Sequence, residues 1–159
     1  MNTRSAVWLG SDAGEALSRA SRGALAGTGL MSSPEVALAR AWDRVIEKLH
    51  ALRSLQDDWD GLGSEAPPPE LVDSAELILD TFRRRHPRLI PTRVLATPDA
   101  SILFEWQVGQ MIMEAVISTL ASADFMLEEP GEHPLRWRVT LENNSQDESW
   151  GTLRRSATT

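Results

Sequence analysis

A chain of 159 residues can bury one real core but is too short for two domains with tails. Its apolar share of 42% and charged share of 25% are ordinary for a globular protein, so wholesale disorder is excluded. The formal net charge of -7 disfavours wrapping a nucleic-acid backbone, and the absence of cysteine excludes disulfides, thiolate zinc sites and cysteine nucleophiles while suiting a reducing, cytoplasmic compartment.

Residues 1–33 are mainly Ala, Ser, Gly and Arg, with Gly10, Gly14, Gly23, Gly27 and Gly29 interrupting any helix that alanine would favour. They read as a flexible N-terminal arm, within which Ala16, Leu17, Ala20, Ala24 and Leu25 could line one side of a short helix against a partner. The apolar run around Trp8 is too short for a signal peptide, and no stretch approaches a membrane span. The expectation is a protein neither exported nor embedded.

A single α+β domain is expected over 34–142. Ser33-Pro34-Glu35 is a helix start: serine caps, proline suits the first helical position, and glutamate complements the dipole. Leu38, Ala41, Trp42, Val45, Leu49 and Leu52 then recur at helical spacing, predicting a first amphipathic helix to about Leu55. Pro69 and Glu70 open a second, with Leu71, Ala75, Ile78, Leu79 and Phe82 on its apolar side and Arg83, Arg84 and Arg85 at its end.

After Pro91 the period becomes two. Ile102, Phe104, Trp106 and Val108 share one face of a strand, Gly109-Gln110 suits a two-residue turn, and Met111, Met113, Ala115 and Ile117 continue that face. Phe125 to Leu127 predicts a third strand; Leu135, Trp137, Val139 and Leu141 predict a fourth, and Arg93 to Thr97 a leading edge strand. Two N-terminal amphipathic helices packed on an antiparallel meander of four or five strands is the expected architecture. Residues 143–159, with a lone Trp150, read as a disordered tail.

The densest chemistry lies between the helices, in Asp57-Asp58-Trp59-Asp60-Gly61-Leu62-Gly63-Ser64-Glu65. Calcium ligation is the first idea, but an EF-hand opened at Asp58 would have Leu62 at its fifth position and Pro69 at its bidentate twelfth. The structural reading has aspartate capping a turn, glycines at positive φ, and Trp59 pinning the loop by packing onto the core. An Asp-Trp-Asp-Gly loop, a proline-started helix and a strand like Ile102-Leu103-Phe104-Glu105-Trp106 resemble uncharacterised small bacterial proteins. The resemblance covers roughly residues 52–116 and implies no established activity. This chain has Ala100 where that pattern expects a turn glycine.

Two further clusters bear on function. The Gly109-Gln110 turn would bring Glu105 opposite Glu114, a pair that either shares a perturbed proton for catalysis or is neutralised by Arg136 and Arg138 in a surface network. The run Arg83-Arg84-Arg85-His86-Pro87-Arg88 could grip phosphates or an acidic protein, or simply complement a helix C-terminus. His50, His86 and His133 lack metal-ligand spacing, so no metal and no cofactor is expected. The leading expectation is a non-enzymatic bacterial accessory or regulatory protein that binds another protein encoded nearby, of antitoxin, immunity or defence type. Its candidate binding residues are Asp58, Trp59, Asp60, Arg83, Arg84, Arg85, Glu105, Glu114, Arg136 and Arg138. The alternatives are a small metal-dependent hydrolase using the acidic loop or the Glu105/Glu114 pair, and self-association through Trp106, Met111 and Met113 if the helices leave the sheet uncovered.

Overall fold

The computed structural model describes residues 4–7 and 33–143. In chain order the elements are β1 (Arg4–Val7), α1 (Pro34–Ala51), a 3₁₀ turn (Leu52–Ser54), α2 (Pro69–Arg85), β2 (Arg93–Ala96), β3 (Ile102–Val108), β4 (Met111–Thr119), β5 (Ser122–Glu128) and β6 (Leu135–Asn143). Every strand pairing is antiparallel, in the order β1-β6-β5-β4-β3-β2. The fold is α+β, with five consecutive strands forming a meander.

Local chemistry accounts for the element ends. The Ser33 hydroxyl accepts from the Val36 N–H at 3.4 Å, one of the first-turn donors that a helix cannot satisfy internally. Pro69 opens α2, and its last turn carries Arg83, Arg84 and Arg85 against the negative end of the dipole. Gly109 sits at φ 64 in the β3–β4 hairpin, so the register follows from the turn and pairs Phe104 with Ala115 and Trp106 with Met113.

The core forms where the apolar stripes of both helices meet one face of the sheet. Trp42, Val45 and Leu49 from α1 and Leu71, Val72, Ala75, Ile78, Leu79 and Phe82 from α2 pack with Phe104, Trp106, Phe125, Trp137 and Val139. Phe82 is central, with ring centroids 4.9 Å from Trp106 and 6.3 Å from Phe125; Phe125 in turn stacks on Trp137 at 5.2 Å. Two indoles also fasten the connector leaving α2: Trp42 Nε1 donates to the Pro87 carbonyl at 2.7 Å, and Trp106 Nε1 to that of Leu89 at 3.1 Å. Among the described residues, no helix is long and apolar enough to cross a membrane.

Within the arm expected over 1–33, Arg4–Val7 forms a strand, with Ala6 opposite Leu141 and Val7 opposite Thr140. That difference has a physical source. The segment has little strand propensity of its own, and the edge of β6 supplies the partner groups. The expected apolar side of the arm, Ala16 to Leu25, lies outside the described residues, as does the tail with Trp150. The strand β6 runs to Asn143, one residue past the expected domain boundary.

Candidate functional site

The acidic loop folds its carboxylates onto its own backbone. Asp58 adopts φ 64, donates its N–H to the Ser64 carbonyl at 2.6 Å, and accepts from the Gly63 N–H at 2.7 Å through Oδ1. Asp60 Oδ1 accepts from the N–H groups of Leu62 at 2.9 Å and Ser64 at 3.4 Å, while Oδ2 accepts from the Ser64 hydroxyl. Asp57 Oδ1 accepts from the Ala66 N–H at 3.0 Å. The Ser64 hydroxyl, then the Leu62 N–H, hold the Asp60 carboxyl below its ordinary 3.8. Asp58 and Asp60 therefore organise the turn.

Trp59 departs from its expected role. It remains 37% exposed, lies outside the core, and donates its indole N–H to the Glu65 carbonyl at 3.3 Å. The loop is instead secured by buried Ser64 and Pro67 and by the turn before β3, where the Glu65 N–H meets the Pro98 carbonyl at 3.0 Å and Glu65 bridges Asp99. In that turn the Thr97 hydroxyl holds the Asp99 carboxyl below its ordinary value. Trp59 and Leu62, the latter 88% exposed, are displayed at the loop surface.

Glu105 and Glu114 are directly opposed on the sheet face away from the helices, as the turn predicts. Arg136 and Arg138 share that face but do not neutralise them. The strand β5 lies between β4 and β6, so Met126 separates Glu114 from Arg136 in the cross-strand row. Arg93 on β2 approaches Glu105 at 3.4 Å, and Arg138 grips Asp124 through Nε at 2.7 Å and Nη2 at 2.8 Å. That fork raises the pKa of Arg138. Half-buried Leu95, Leu103 and Val116 form the neighbouring row, Leu95 opposite Leu103 and Leu103 opposite Val116. The row begins at β2, an edge of the sheet.

The basic run is not one patch. Arg83 lies over the Trp42 ring, 5.6 Å from its centroid, and Arg84 pairs with Asp80 one turn back. His86 ends the helix with its ring 5.1 Å from Phe82, and burial, then the Arg85 charge, push its pKa below 6.5. Beside this end, sequence reasoning missed a groove of about 410 Å³ between α1 and α2. Its floor is Trp42, Ile46 and Leu79; Asp43 and Glu47 from α1 and Glu76 and Asp80 from α2 line it with Arg83. The available signal was a pair of acids at i and i+4 flanking each apolar stripe, meaningful only once the helices are known to lie side by side.

The loop, the outer sheet face and the end of α2 are thus three separate places. Among the described residues, no group of three or more His, Asp or Glu side chains could hold a metal ion. No protein-family model matches the chain, and neither a curated protein nor a solved structure matches it.

Proposed function

We propose that this chain is a non-enzymatic accessory or regulatory protein that acts by binding another protein. The observation that carries the reading is the outer face of the sheet, where the Leu95, Leu103 and Val116 row lies beside the charged row Arg93, Glu105 and Glu114 and reaches the edge strand β2. An apolar strip beside fixed charges gives a partner both burial and register, and an edge strand can accept another strand. The inward engagement of Asp57, Asp58 and Asp60 supports binding over hydrolysis, because one oxygen each of Asp57 and Asp58 and both oxygens of Asp60 are committed to turn donors. A bacterial, cytoplasmic setting and an antitoxin, immunity or defence role belong to this proposal through the loop resemblance alone.

The test is purification of the tagged full chain from its native cell. A stoichiometric protein partner is expected, and Leu103→Glu, checked for an unchanged melting temperature, should lose it. Recovery of the wild-type chain without any stoichiometric partner, with or without cross-linking, would overturn the reading.

A further inference from the structure

The groove between α1 and α2 lies on the helical side of the molecule, away from the sheet face invoked above. Its walls are acidic in a regular way: each helix contributes carboxylates at i and i+4, Asp43 with Glu47 and Glu76 with Asp80. The two walls differ in their neutralisation. Glu76 meets His50 Nε2 at 2.8 Å and Arg53 at 3.9 Å, and Asp80 meets Arg84. Among the described residues, Asp43 and Glu47 have no ion-pair partner, and like charges at that spacing repel. The floor beside them is apolar, with Ile46 half-buried. Arg83 already lies in the groove with its guanidinium over Trp42, which is only 1% exposed, so Ile46 is the apolar surface left open to a partner beside the two unpaired acids.

We propose that this groove docks a lysine- or arginine-bearing segment of a partner protein. The inference rests on the protein-binding reading and specifies the chemistry of the partner. About 410 Å³ suits one or two side chains rather than a whole helix. A basic side chain matches both parts of the groove: its methylene stem covers Ile46 while its charged head reaches Asp43 and Glu47. Complementary charge speeds the encounter and fixes the register, and the chain's net charge of -7 acts in the same direction.

The experiment is calorimetric titration of the full chain with a capped peptide of alternating arginine and alanine, with its glutamate counterpart and spermine as further probes. The arginine peptide should bind and weaken as salt is raised, and the glutamate peptide should not bind. Asp43→Asn/Glu47→Gln should lose about tenfold or more in affinity without melting lower than wild type, because it removes a repulsion. Ile46→Ser should weaken the peptide without changing the steepness of its salt dependence, because it removes apolar cover and no charge. Equal binding by the double variant, spermine binding as tightly as the peptide, or no peptide binding would overturn the groove assignment. A native partner retained by the double variant would also overturn it while leaving the protein-binding reading intact; that reading fails only if the wild-type chain yields no partner.

Discussion

Asp58 and Ala100 both occupy the left-handed region, at φ 64 and φ 60, but only Asp58 has a compensating side chain. Its carboxylate accepts from the Gly63 N–H, whereas the Ala100 methyl offers nothing for the conformational cost. The turn nevertheless closes, with the Thr97 N–H meeting the Ser101 carbonyl at 2.9 Å. Ala100→Gly should therefore stabilise the protein by about 0.5–1 kcal/mol, since relief of strain exceeds the added freedom of the unfolded chain. Chemical denaturation measures it. Asp60 carries a different dependence. Its folded pKa is depressed below 3.8, so its contribution is present above that value and lost as pH falls through the folded pKa. Melting curves from neutral to strongly acidic pH should show Asp60→Ala already destabilised at neutrality and less sensitive to further acid than wild type.

At the scale of elements, the junction between α2 and β2 concentrates several roles. The His86 N–H meets the Phe82 carbonyl at 2.8 Å, and the next turn of chain is fastened by Trp42 and Trp106 through the carbonyls of Pro87 and Leu89. Because the folded His86 pKa lies below 6.5, the unfolded chain binds the proton more readily. Stability from this group is full above 6.5 and falls with pH through the window down to the folded value. His86→Gln should flatten that part of the stability–pH curve, as unfolding at stepped pH will show. The helices and the β3–β4 hairpin were legible in the sequence because their signals are local: proline and serine start the helices, the apolar period identifies their buried sides, and Gly109 sets the register that opposes Glu105 and Glu114. The segment Arg4–Val7 was not legible, because its strand exists only against β6.

For the molecule as a whole, the core contains a continuous aromatic path from Phe82 through Phe125 to Trp137, joining α2 to β5 and β6 on the helix-facing side of the sheet. Phe82 is 1% exposed, so Phe82→Ala should cost about 3–5 kcal/mol, a large share of an ordinary domain's stability, read as a collapse of the denaturation midpoint. The candidate site was legible only in part, and strand order explains why. Glu105 and Glu114 could be placed opposite each other from their turn, yet their relation to Arg136 and Arg138 depended on β5 lying between β4 and β6. The amino-acid sequence by itself determined the two amphipathic helices, the alternating strands and one hairpin register, because each follows from the spacing of neighbouring residues. Tertiary structure alone decided that Arg93 serves Glu105, that Asp124 serves Arg138, that Trp59 stays at the surface, and that two acidic helix walls enclose one groove. Those relations join residues far apart in the chain, and electrostatic pairing depends on distance in space, which local periodicity does not encode.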